Sequence, residues 1–237
     1  MKWIVPVLLA MSSTPAMAAG KFGAPKGCTV FLTVQLSSCQ VANHYTCKGE
    51  PAGNQWVAYS DPDGPVYLSQ IDRETRWLQD IDLRSNEVTA IADEKDPASF
   101  DELLKTGLDS YDFTTLSQSG EEKHYQGYDK LTGKTITIDG VKLEQTEFDL
   151  TTRTGDGAFV SHRTGNQLIN RDWRIFFADT EDYETDKGEK GSSKTAPVTF
   201  SKPGSEGFES DTPDFGCDMQ MTEAPPLLQS VALKAAP

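Results

Sequence analysis

Apolar and polar residues alternate along much of the chain. In "CTVFLTVQL" (28–36), Cys28, Val30, Leu32, Val34 and Leu36 share one strand face while Thr29, Thr33 and Gln35 share the other; Phe31 breaks the polar side. A period of two marks a half-buried β-strand, because successive side chains point to opposite faces. The same alternation recurs in "TRWLQDIDL", where Trp77, Ile81 and Leu83 oppose Arg76, Asp80 and Asp82, and in "KTITID", where Ile136 and Ile138 oppose Thr135 and Thr137. "SYDFTTL" adds Tyr111 with Phe113, and "GNQLINRDWRIFF" adds Trp173 with Ile175 and Phe177. One wet face and one dry face is the pattern of antiparallel sheet.

Turn residues separate these runs at short intervals, as a β-meander requires. "DPDGP" (61–65) reverses the chain between "QWVAYS" and "VYLSQI", the Asp-Gly pair of "IDGV" (138–141) is the strongest hairpin signal, and "TGDGA" (154–158) repeats it one strand later. In "VKLEQTEFDL" the apolar phase moves from Val141 and Leu143 to Phe148 and Leu150, which predicts a β-bulge or sharp bend near Gln145 and hence a curled sheet. One helix is expected in "DPASFDELLKTG", with Asp96 as N-cap, Pro97 at the first helical position, Phe100, Leu103 and Leu104 on one face and Gly107 as terminator. The charged, Gly/Ser-rich stretch 180–197 reads as a mobile loop and 221–237 as a frayed tail. The fold class is therefore all-β: a single domain over 19–220, a curled antiparallel meander (barrel, half-barrel or sandwich) with one short covering helix.

The N-terminus changes the setting of this sheet. Residues 1–18 combine Lys2, an apolar run from Trp3 to Met11, a helix-breaking Ser-Ser-Thr-Pro and a terminal Ala16-Met17-Ala18, the layout of a secretory signal peptide. Periplasmic or secreted localisation follows, with no membrane span. In an oxidising compartment the four cysteines Cys28, Cys39, Cys47 and Cys217 are expected to form two disulfides. Their spacing lacks any C-x-x-C pair for zinc, and His44 reads as a loop histidine beside a disulfide. Of the three connectivities, Cys39 with Cys47 and Cys28 with Cys217 is favoured. The net charge of −14 argues against nucleic acid and anionic lipid surfaces, which are bound through clustered Lys and Arg.

Chemical motifs are scarce. No nucleophile elbow, H-E-x-x-H, P-loop or Rossmann glycine pattern occurs, and no cofactor or metal is expected. "SDPDG" and "ADTEDYETD" read as turn and solvated charge rather than calcium loops. A Ser161/His124 pairing across adjacent strands is conceivable, but surface strand histidines at 124 and 162 are the better account. Aromatic rings remain: Trp56, Trp77, Tyr111, Phe113, Phe148 and Trp173 lie on predicted strands and could present a ligand-binding concave face, with a filled core as the competing use. The pattern is similar to that of half-barrel lipoprotein carriers and lipocalin-like barrels, without the diagnostic motif of either. The expected function is an exported, non-enzymatic protein that binds an apolar or lipid-like ligand in the concave face of the sheet. The alternative is an envelope protein-interaction module without ligand; a hydrolase built from dispersed carboxylates or histidines comes third.

Overall fold

Alternation and turn chemistry produce thirteen strands in one antiparallel sheet. They are β1 (Cys28–Leu36), β2 (Gln40–Cys47), β3 (Gln55–Asp61), β4 (Gly64–Ile71), β5 (Trp77–Asp82), β6 (Glu87–Asp96), β7 (Leu108–Ser117), β8 (Glu122–Ile138), β9 (Val141–Thr154), β10 (Phe159–Asn170), β11 (Ile175–Thr185), β12 (Lys190–Lys194) and β13 (Pro197–Ser201). The computed structural model describes residues 20–218; the expected signal peptide and C-terminal tail lie outside the described residues. Each strand from β1 to β12 pairs with its chain neighbour, and β13 returns to pair with β1. Consecutive strands β12 and β13 therefore sit on opposite edges of the sheet, joined only by Thr195 and Ala196. A link that short spans about 10 Å, so the two edges must lie close together although no ladder joins them. The sheet is curled almost fully round but not closed.

Packing seals what hydrogen bonding does not. Cross-strand partners share a face, and one inner row runs Leu32, His44, Val57, Ser69, Asp80, Thr89, Ser117. At the far end of the sheet, Leu168 and Phe177 join Leu32, Val34, Leu36 and Phe200 in the main apolar core, while their neighbours Ile169 and Phe176 pack with Phe100 and Leu103 of the helix. Adjacent strand residues point to opposite faces, so the ends of β10 and β11 are covered on both sides. In β10, Leu168 has the parity of the outer face. The sheet thus rolls like a scroll, with the outer face of its last strands resting on the inner face of its first. Fully buried leucines at such a seam contribute about 1.5–3 kcal/mol each.

The bend expected near Gln145 is present. The β8 register slips between Leu131 and Thr135, opposite Gln145, and the Thr132 hydroxyl donates to the Gln145 carbonyl. The bend turns Ile136, Ile138, Val141 and Leu143 into the main core. At the tip, Asp139 and Gly140 both adopt positive φ (48° and 74°), as a two-residue hairpin of this hand requires.

Two disulfides fix the early strands, but in a different pairing from the one favoured on sequence: Cys28–Cys47 and Cys39–Cys217. The reason is register. The β1–β2 ladder sets Cys28 directly opposite Cys47, with Cα atoms 3.9 Å apart, whereas Cys39 lies in the turn at φ 56° and faces the C-terminal segment. That segment straps the outer face of β1 and β2. The Glu209 amide donates to Thr33 Oγ1, Asn43 Nδ2 donates to the Ser210 carbonyl, and Gln35 bonds both Thr212 and Asp214. These bonds explain why Thr33, Gln35 and Asn43 are buried although the alternation placed polar residues on a wet face. Two disulfides agree with folding in an oxidising, non-cytoplasmic compartment. Among the described residues no helix is long and apolar enough to cross a membrane.

Two further expectations are corrected. The helix α1 is Phe100–Thr106, capped by Ser99, whose side chain accepts from the Glu102 amide, with Gly107 closing it at φ 86°. Asp96 is instead the last residue of β6 and accepts from Ser110 Oγ. The Ser-x-x-Glu spacing outweighs Asp-Pro because Ser99 stands three residues before Glu102, the spacing of a capping box. Residues 180–197 are not a mobile loop: β11 continues through them to Thr185 and turns into β12. Backbone pairing to β10 supplies what the side chains lack.

Candidate binding face

The rolled sheet divides the aromatic candidates. Trp77, Tyr111 and Phe113 come together on the inner face, with Tyr125 as a fourth member. Phe113 stacks on Tyr125 at 5.1 Å, Trp77 sets its edge against both at 5.6 Å, and Tyr111 lies 6.0 Å from Phe113. Trp77 remains 41 % exposed. Tyr111 covers Gly127, where any Cβ would meet the Asp149 carbonyl at 2.2 Å and the tyrosine ring at 3.0 Å. The other candidates are used elsewhere. Trp173 packs on Phe177 and Phe200 in the main core, Trp56 stacks on Tyr45 on the outer face, and Phe148 is buried opposite Asp129 and Gly165.

A bulge assembles this cluster. The β4–β5 register slips between Gln70 and Ile71, so Trp77 faces Ile71 while Asp80 faces Ser69. Both partners lie on the inner face, which puts Trp77 and Asp80 on the same side. The plain alternation had set them on opposite sides and assigned Asp80 to water. Ile81 turns outward instead, opposite Leu68.

Asp80 is consequently surrounded by rings. Burial raises its pKa, opposed by hydrogen bonds from Ser69 and Tyr67. Its Oδ1 is completely buried without a partner, while the residue as a whole stays partly exposed. Burial and the charge of Asp80 together push the Tyr59 phenol up to about 12 and the Tyr67 phenol well above its ordinary value. Tyr125 rises to about 12, chiefly through burial, with Asp80 adding to it. All three phenols are neutral donors at any ordinary pH.

Further carboxylates line the same face. Asp109 and Asp129 stand opposite each other on β7 and β8. Burial pushes Asp109 up to about 6, and burial together with the charge of Asp109 pushes Asp129 up to about 7. Glu181 is also raised by burial, but Arg163 holds it through two hydrogen bonds of 3.0 and 3.2 Å. The inner face therefore carries more acid than base, in an aromatic setting.

The histidines take other places. His44 is on β2 rather than in a loop, buried between Phe31 and Phe177, with Nε2 unpartnered and its pKa lowered to about 3 by burial. Ser161 and His124 are not brought together: β9 separates their strands, and Ser161 shares the inner row of Tyr125 and Thr152 whereas His124 pairs with Thr114 and Arg153 outside. His124 bonds Asp112 at 2.5 Å, which with Lys95 at 3.0 Å holds the Asp112 carboxyl below its ordinary value. His162 bonds Asp149 at 3.0 Å. Two polar surface clefts of about 420 and 320 Å³ lie beside these pairs on the outer face, the first lined by His162, Asp182 and Glu184, the second by Lys95, Asp112 and Gln126. Among the described residues no group of three or more His, Cys, Asp or Glu side chains is arranged to hold a metal. Tyr125, Tyr67 and Asp80 were not among the six residues selected on sequence; the bulge and the strand order bring them to the cluster. Compared with known proteins, the chain matches no family model, no curated protein and no solved structure.

Proposed function

We propose that this is an exported, periplasmic or secreted binding protein without catalytic role, which takes an apolar or amphipathic ligand on the inner face of its curled sheet at the Trp77–Phe113–Tyr125 cluster. The observation that carries this reading is the half-exposed Trp77 set edge-on against two stacked rings. A large indole left 41 % exposed forgoes burial worth about 1–2 kcal/mol, which a bound apolar group would restore. Neighbouring hydroxyls and the Asp80 carboxylate supply the few polar groups that orient a ligand. The test is native mass spectrometry and organic extraction of protein purified from its own cell envelope, beside the Trp77→Ala variant. A co-purifying amphiphile, lost in the variant, is expected. Recovery of clean protein that also ignores a panel of added amphiphiles overturns the reading.

A further inference from the structure

Among the described residues Asp80 forms no salt bridge with any lysine or arginine, and the groups that act on it are burial, Ser69 and Tyr67 alone. Its Oδ1 is buried without a donor, a feature that costs stability unless something else compensates it. Arg163, whose charge reaches Tyr125, is bound to Glu181. Around Asp80 stand the rings of Tyr59, Tyr67 and Tyr125, with Trp77 against Tyr125. Aromatic faces attract cations through their ring quadrupoles, most strongly where water is excluded. A carboxylate lacking a counter-ion at the base of such a ring cluster matches one class of ligand group.

We propose that Asp80, Tyr67, Tyr125 and Trp77 form a site for an organic cation, the quaternary or tertiary ammonium group of an amphipathic ligand. The inference rests on the binding reading above and narrows it: the ammonium sits among the rings beside Asp80, and the apolar chain runs along Phe113. No bond is made or broken in this step.

Three probes of equal chain length separate the possibilities: octyltrimethylammonium, octyl glucoside and octyl sulfate, each titrated below its micelle concentration and followed by tryptophan fluorescence. The cation is expected to bind at least tenfold more tightly than the other two. Asp80→Asn, nearly isosteric, should abolish that preference while leaving the near-ultraviolet dichroism unchanged. Glu206→Gln removes the same charge from an exposed position and should leave it intact. Equal binding of all three probes, or equal loss of preference in the two variants, overturns the ammonium inference and leaves the binding reading standing. Failure of every probe overturns both. If Asp80→Asn unfolds, Trp77→Phe in the otherwise native protein carries the test, followed by titration calorimetry because the variant lacks the reporting indole, with the tenfold preference expected to shrink two- to threefold and an unchanged preference counting against the site.

Discussion

The inner face of this sheet has two regions of opposite character. Across β1, β2 and β13 it is a seam of Leu32, Val34, Leu36, Ala42 and Phe200, closed by Leu168 and Phe177 from the rolled-in strands. Across β4, β5, β7 and β8 the same face carries Tyr67, Ser69, Asp80, Phe113 and Tyr125, with a half-exposed Trp77. One row of cross-strand partners passes through both. The seam is packed as folding alone would have it, His44 excepted. The acid–aromatic region keeps an unpartnered oxygen, raised carboxyl pKa values and an uncovered indole, each of which costs stability. Departures of this kind are expected at functional or strained positions, which is why the binding proposal is placed there.

This contrast can be broken at four points, in order of size. The largest effect is expected from opening Cys39–Cys217, which encloses 178 residues and ties the strap to the seam. On the chain-entropy model Cys217→Ser costs about 5 kcal/mol, against about 3 for Cys47→Ser in the Cys28–Cys47 pair, 19 residues apart. Equal losses in urea melts would remove the strap from the account. Next, Leu168→Ala should cost about 2–5 kcal/mol through the cavity it leaves, more than Trp77→Ala, whose half-exposed ring leaves no closed cavity. Comparable losses at both positions would mean that Trp77 belongs to the core after all.

The third test uses pH on the one misfit in the seam. His44 is held to about 3 in the fold against about 6.5 unfolded, so above pH 6.5 both states are neutral. As pH falls from 6.5 towards 3 only the unfolded chain takes the proton, and stability drops by about 3 kcal/mol between pH 6.5 and 4. His44→Leu should flatten that slope, measured as the difference from the unaltered protein at each pH; parallel curves would show His44 reachable by solvent. The smallest effect has the opposite sign. Asp129 is raised to about 7, so its contribution is full below about pH 4 and is lost as pH rises through 7. Asp129→Asn should gain about 1–2 kcal/mol at pH 8 and nothing at pH 4, the gain being limited because the residue keeps some contact with solvent. A gain at both pH values would assign the effect to packing.

Much of this was legible in the residues. Alternation located most strands, the Asp-Gly pair placed the β8–β9 turn, and the phase change in "VKLEQTEFDL" announced the bend that brings Leu143 into the seam. The acid–aromatic region was only half legible. Trp77, Tyr111 and Phe113 were chosen, but Asp80 was assigned to water, because strict alternation assumes an unbroken register and the β5 bulge breaks it. Trp56 and Trp173 looked equivalent to Trp77 on the same grounds. Their separate destinations depend on which strand faces which.

By itself the sequence determined what short-range physics can write: period-two strands, turns needing positive φ, a small helix ended by glycine, and an oxidised set of four cysteines. Tertiary structure alone decided the pairing of those cysteines, the rolling of the last strands into the first, and the meeting of Trp77 with Asp80. Each depends on the register between paired strands. Register is set by the joint packing of both partners, a quantity that no single stretch of residues contains.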